Sequence, residues 1–139
     1  MKNSKPILLV EDDEVDVMKI KRAFEDRSMP NQLVSPENGE RALEYLNDKS
    51  CKRPCLVLLD LNMPGLDGFQ FLQRVKNDPK FRKIPVVVLT SSEEDCDVVK
   101  SFGLGAAGYI VKPDGYSEVV KMFEIIDKYW TLNESPNGT

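Results

Sequence analysis

Histidine is absent from all 139 residues. That removes triads with an imidazole base, histidine-ligated zinc and phosphohistidine chemistry carried by this chain. Cysteine is scarce, with three residues, of which Cys51 and Cys55 flank Lys52-Arg53-Pro54. An odd number of thiols with no histidine beside them reads as reduced cysteine, not as a metal cluster or a disulfide frame. No apolar run approaches the roughly 20 residues that cross a bilayer. The basic start, Met1-Lys2-Asn3-Ser4-Lys5-Pro6, reaches only Ile7 to Val10 before a run of acids. That is too short for the apolar part of a signal peptide, so a cytoplasmic protein with no membrane partner is expected. Basic charge is in the minority: 19 Lys+Arg against 23 Asp+Glu leave a net charge of -4, which argues against nucleic acid as a partner.

What is there suits one globular domain. The composition is 41% hydrophobic and 30% charged, enough for a single core at this length. Residues 6–130 are expected to form that domain. Residues 131–139 are polar, with Pro136 and Gly138, and are expected to fray as a flexible tail.

The chain is organised around Leu56-Val57-Leu58-Leu59-Asp60, an unbroken apolar run that stops at a carboxylate and turns at Pro64-Gly65. Short apolar runs bounded by turn signals suit strands buried on both faces of a parallel sheet. Four more such runs occur. Ile7-Leu8-Leu9-Val10 ends in Glu11-Asp12-Asp13-Glu14, and Gln32-Leu33-Val34-Ser35 is the weakest. Pro85-Val86-Val87-Val88-Leu89 ends in Thr90-Ser91-Ser92, and Ala106 to Val111 ends in Lys112-Pro113. Between them lie helical patterns: Val17, Ile20 and Phe24; Ala42, Leu43, Tyr45 and Leu46; Phe69, Leu72 and Val75; Val98, Val99 and Phe102. A last stripe carries Val119, Phe123, Ile126 and Trp130. Asn38 or Gly39 is expected to open the second helix and Asp67 to cap the third. Alternating strands and helices predict a doubly wound α/β fold, a five-stranded parallel sheet between two helical layers.

All strand carboxyl ends then share one edge, where open α/β sheets place their ligands. The first strand delivers Glu11 and Asp12 there, the third Asp60, the fourth Thr90 and the fifth Lys112. Three carboxylates in a small space repel one another and call for a cation. Hard oxygen ligands with open positions favour Mg²⁺. A carboxylate can itself accept a phosphoryl group, and that transfer needs positioning and neutralised oxygens. Mg²⁺, Lys112 and the Thr90 hydroxyl supply the neutralisation, and Asp60, central and facing the others, is the natural acceptor.

Glu11-Asp12 after Leu-Leu-Val, Asp60-Leu-Asn-Met-Pro-Gly-Leu-Asp-Gly, Leu89-Thr90-Ser91 and Gly108-Tyr109-Ile-Val-Lys112-Pro113, in this order, resemble the receiver domain of two-component response regulators, the CheY-like fold. The resemblance spans nearly the whole chain and implies strand order 2-1-3-4-5. By position it makes Glu11 and Asp12 the acidic pair at the metal, Asp60 the phosphoacceptor and Asn62 the residue whose backbone carbonyl joins the metal. It makes Thr90 the switch hydroxyl, Tyr109 the switch aromatic and Lys112 the phosphate-binding lysine, with a cis peptide implied before Pro113. Many members carry Asp-Asp where this chain has Glu11-Asp12. The donor implied is a sensor histidine kinase and the output a contact with a downstream protein. The loop 77–85 and the tail 125–130 look more like the phytochrome-associated group than the chemotaxis type. Tyr129 and Trp130 suggest a homodimer through the face of the fourth helix, fifth strand and fifth helix, the alternative being that Trp130 closes the core.

Taken singly, each residue has a plainer reading. Asp60 would be a polar strand end, Glu11 and Asp12 an acidic helix start, Lys112 a surface lysine and Tyr109 half-buried packing. Convergence on one edge is what argues otherwise. Two other functions share parts of this pattern. Haloacid-dehalogenase-type phosphatases resemble a pattern with a second aspartate two residues after the nucleophile, where this chain has Asn62, which moves no proton. A flavodoxin-like flavin binder wants a phosphate-cradling loop after the first strand, where Glu11-Asp12-Asp13-Glu14 would repel phosphate. The expectation is therefore a switch that assists only its own phosphorylation and dephosphorylation and is not otherwise an enzyme.

Overall fold

The computed structural model describes residues 5–27 and 31–132, with side chains described as far as Tyr129. Five strands, β1 (Ile7–Val10), β2 (Leu33–Val34), β3 (Leu56–Leu59), β4 (Val86–Thr90) and β5 (Gly108–Val111), alternate with five helices. The helices are α1 (Glu14–Asp26), α2 (Gly39–Asn47), α3 (Gly68–Asn77), α4 (Asp95–Gly103) and α5 (Tyr116–Leu132). All strand pairs are parallel, in the order β2-β1-β3-β4-β5. Ile7 stands opposite Leu56, Val57 opposite Val86 and Thr90 opposite Val111, so the carboxyl ends of β1, β3, β4 and β5 stay in step.

Each central strand feeds two cores, as successive side chains point to opposite faces. Ile7, Leu9, Leu56, Leu58, Val87 and Leu89 pack under α1 and α5. Leu8, Val10, Val57, Leu59, Val86 and Val88 pack under α2 and α3. Both faces are covered, which is why these runs are continuously apolar. Phe24 of α1 and Phe123 of α5 meet edge to face at 5.6 Å, a contact worth about 1 kcal/mol beyond its buried area.

Caps set where the helices begin. Asp13 accepts from the amides of Val15 and Asp16 at the head of α1, and Asn38 accepts from Arg41 at the head of α2. Asp67 and Gln70 form a reciprocal capping box on α3 at 2.9 Å each way.

Four details differ from expectation. On α3, Phe71 is fully buried whereas Phe69 is half-buried, with Lys100 Nζ 4.2 Å from its ring centre. On α4, Val99 and Phe102 are exposed and Ser101 is the buried residue. Helix α4 packs on β5, the four-residue edge strand of the sheet. No peptide among the described residues is cis, so the bond before Pro113 is trans, the lower-energy isomer even before proline. The fourth is α5, which runs to Leu132, past the expected domain end at residue 130. The Trp130 side chain and residues 133–139 lie outside the described residues.

Candidate functional site

Asp60 follows β3 directly. Its N–H donates to Val10 O at 3.0 Å, which continues the β1–β3 ladder by one rung and fixes the backbone under the carboxylate. The chain then turns and returns against itself. Gly68 N–H donates to Leu61 O at 3.1 Å. A Cβ at Gly68 would lie 2.3 Å from Asp60 O and 2.5 Å from Leu61 Cα, so only glycine fits. In the same turn Gly65 takes φ 73°, and Glu40 Oε1 of α2 accepts from Leu66 N–H at 2.7 Å. Glu40 is a positioning residue that nothing in the sequence marks.

Around Asp60 the structure assembles the expected groups. Glu11 and Asp60 are buried and Asp12 is exposed, and one carboxylate oxygen from each lies within 4.8 Å of the others. Carboxylates at that range repel by roughly 3–4 kcal/mol per pair at an effective dielectric near 20. Lys112 Nζ is the chain's own countercharge. It touches Glu11 Oε1, pairs with Asp16 Oδ2 at 2.8 Å and stands 3.8 Å from Asp60 Oδ2. Burial pushes the Glu11 carboxyl up to about 7, against the hydrogen bond from Lys112, and the neighbouring Asp60 charge adds to the rise. Burial works to lower Lys112, but the bonds to Asp16 and Glu11 and the Asp60 charge outweigh it and hold the ammonium above its ordinary value.

Two buried atoms here have no hydrogen-bond partner: Asp60 Oδ1 and Thr90 Oγ1. Buried polar atoms are nearly always paired, so these two have capacity for a further bond at this edge. Thr90 ends β4 with its side chain fully buried. Tyr109, on β5, is half-buried, and its hydroxyl donates to Ser92 O at 2.9 Å. The Ser92 hydroxyl donates in turn to Asp97 Oδ2 at 2.6 Å, which ties the β4–α4 loop to the head of α4. Asn62 is exposed on the turn after Asp60. Asp16 is the partner of Lys112 that the sequence does not mark: it sits on α1 among other acids, and only the fold brings Lys112 to it.

The oxygen-only donor set and the partnerless Asp60 Oδ1 fit a hard divalent cation. The Lys112 ammonium beside them fits an anionic group that arrives with that cation.

Comparison with known proteins agrees. A probable methanogenesis regulatory protein, FilR2, of Methanothrix harundinacea is 37% identical over 94% of this chain and 86% of its own length. The response regulator Rcp1 of Synechocystis sp. is 34% identical over 91% of this chain and 88% of its own. A crystal structure of the Mn²⁺-bound form of a response regulator Rcp1 superposes with a TM-score of 0.83 at 33% identity, covering 93% of this chain and 96% of that one. The phosphorylated cyanobacterial phytochrome response regulator RcpA gives a TM-score of 0.85 at 34% identity, over 94% and 96% of the two chains. The response regulator receiver domain model matches residues 7–124, from the first residue of β1 into α5. The strand order and the match across nearly the whole described chain leave one assignment: this chain belongs to the response regulator receiver family of two-component signalling.

Proposed function

We propose that Asp60 is the phosphoacceptor and that phosphorylation there is the input to a conformational switch. The observation that carries this is the pair of partnerless buried atoms, Asp60 Oδ1 and Thr90 Oγ1, on the edge where Lys112 stands. In the reaction an Asp60 carboxylate oxygen attacks phosphorus in line. The new O–P bond forms as the bond to the donor's histidine nitrogen breaks, and the imidazole leaves with that electron pair. Glu11, Asp12 and Asp60, with the backbone carbonyl of Asn62, would hold Mg²⁺, which supplies charge neutralisation at the phosphoryl oxygens when bound. Lys112 binds a phosphoryl oxygen. The Thr90 hydroxyl, already buried and unpaired, donates to another. Movement of Thr90 opens space beside β5, and Tyr109 exchanges its bond to Ser92 O for a place in that space.

The donor is a histidine kinase. RcpA's description as a phytochrome response regulator supports a phytochrome-type kinase for this chain as well. The output is a protein contact through α4, β5 and α5. Val99, Phe102, Val111, Ile125 and Tyr129 are all exposed there, and a second copy of the chain is the proposed occupant. Sedimentation with and without acetyl phosphate reads that association. The protein assists only its own phosphorylation and dephosphorylation, because Asn62 stands where a phosphatase would need an acid.

Incubation with acetyl phosphate and Mg²⁺, followed by intact mass, tests the central claim. One phosphoryl group should be added, and Asp60→Asn should abolish it. An adduct that survives Asp60→Asn, or no adduct on the wild type, sinks the reading.

A further inference from the structure

Lysine offers three N–H donors, and a hydrogen bond needs its acceptor within about 3.2 Å. In the structure Lys112 spends its reach on Glu11 and Asp16, and leaves Asp60 at 3.8 Å, beyond hydrogen-bond range. The two engaged carboxylates are not equivalent. Glu11 stands on the phosphorylation edge. Asp16 stands in the first turn of α1, where its own N–H donates to the cap Asp13 at 3.3 Å. It is anchored to α1, independently of the turn that carries Asp60. Lys112 and Asp16 meet beside a cavity of about 20 Å³ that Ile20, Leu89, Val119 and Met122 also line.

We propose that Asp16 is a positioning residue that draws the Lys112 ammonium toward α1 and competes for it with the phosphoryl group on Asp60. The inference rests on the reading of Asp60 as phosphoacceptor. A phosphoryl group brings three acceptor oxygens and about two negative charges to the edge. One N–H of Lys112 stays uncommitted, but the 2.8 Å bond to Asp16 holds the ammonium toward α1 and away from those oxygens, so closer engagement of the phosphoryl group draws against that bond. Asp16 therefore opposes entry of the phosphoryl group and sets how far Lys112 favours the phosphorylated state. Both side chains are partly exposed, at 15% for Lys112 and 30% for Asp16, so the competition is that of a partly screened ion pair.

The experiment measures the rate of phosphoryl uptake from acetyl phosphate by intact mass, at fixed Mg²⁺, in the full chain. Asp16→Asn should take up the group about two- to fivefold faster than wild type, the scale of one such pair. Asp16→Glu, which keeps the charge, should return the rate toward wild type. Glu14→Gln removes a carboxylate from the same helix turn without touching Lys112, and should leave the rate within about twofold of wild type. A packing role for Asp16 would move the melting temperature but would not follow charge in this way. Equal rates for wild type and Asp16→Asn, a slower Asp16→Asn, or equal acceleration by Glu14→Gln each overturn the inference. Should Asp16→Asn fail to fold, Asp16→Ser also removes the charge and is read by the same criteria. No adduct on the wild type would instead overturn the reading of Asp60, so the two failures are distinct.

Discussion

Gly68→Ala tests how the backbone aims Asp60. The added methyl would lie 2.3 Å from Asp60 O, 2.5 Å from Leu61 Cα and 3.0 Å from Asp60 C, all backbone atoms that no rotamer change can clear. Ordinary C···O contacts begin at roughly 3.3 Å, so α3 and the segment after Asp60 must part by about 1 Å. That separation strains the bond from Gly68 N–H to Leu61 O, now 3.1 Å, and pulls on the buried Leu61 and Leu66. Overpacking of this kind costs about 2–3 kcal/mol. For a domain of this size the melting temperature should fall by roughly 6–12 °C. Phosphoryl transfer depends on alignment, and a displacement near 1 Å costs on the order of 100-fold in rate. Urea unfolding and phosphoryl uptake from acetyl phosphate are the assays. Gly103→Ala is the control, because a Cβ there meets nothing within 4 Å; it should be neutral, or stabilising by about 0.5 kcal/mol through the unfolded chain. Wild-type stability and uptake for Gly68→Ala would refute the claim that this close approach fixes the acceptor.

Thr90→Val removes a buried hydroxyl that has no partner, so thermal melting should show stability unchanged or raised by about 1 kcal/mol, while phosphorylation no longer alters the contacts of the α4–β5–α5 face. Saturating Mg²⁺ at about 100 times its dissociation constant should stabilise the protein by about 2.7 kcal/mol; Asp12→Asn should lose most of that gain, read by melting with Mg²⁺ and with chelator. Lys76 Nζ donates to Arg82 O at 3.0 Å and Ile84 O at 2.7 Å, so Lys76→Met should cost about 1–3 kcal/mol in urea unfolding. Burial holds Lys76 below its usual 10.5. Folding therefore favours the neutral amine, and the stability of wild type relative to Lys76→Met should rise as pH climbs from the folded value toward 10.5.

Much of this molecule was legible in the sequence because its central strands are buried on both faces. Continuous apolar runs, each ending in a polar residue, announced β1, β3 and β4, and the alternation announced the topology. Legibility failed where packing, not pattern, decides. On α3, Phe69, Phe71, Leu72 and Val75 form an apolar arc wider than the surface that covers it. Periodicity cannot say which edge of that arc is buried, and Phe71 won over Phe69. On α4 the same ambiguity ran the other way: Val99 and Phe102 look like a core stripe and face outward. Strand-end residues were found because topology alone carries them to one edge. Asp16 and Glu40 reach the site from helices: Asp16 of α1 pairs with Lys112, just after β5, and Glu40 of α2 accepts from the turn after β3. Neither is a periodic feature, so neither had a local signal.

With Asp60 as phosphoacceptor and Asp16 as competitor for Lys112, both as proposed, the energetics of the switch follow. Moving a two-state equilibrium from 1:99 to 99:1 needs about 5.5 kcal/mol of differential binding. A charge-assisted hydrogen bond supplies about 1.5–3 kcal/mol; under the proposed role Lys112 starts already held by Asp16 and Glu11, so its net contribution is reduced by whatever it loses there. Thr90 is the opposite case. Its hydroxyl is buried and bonded to nothing, so a bond to a phosphoryl oxygen is gained without another being lost. The chain thus places one group whose contribution is discounted by competition beside one whose contribution is undiscounted. Variation at Asp16 should therefore tune the balance between states in small steps, whereas loss of the Thr90 hydroxyl should break the link between phosphorylation and output.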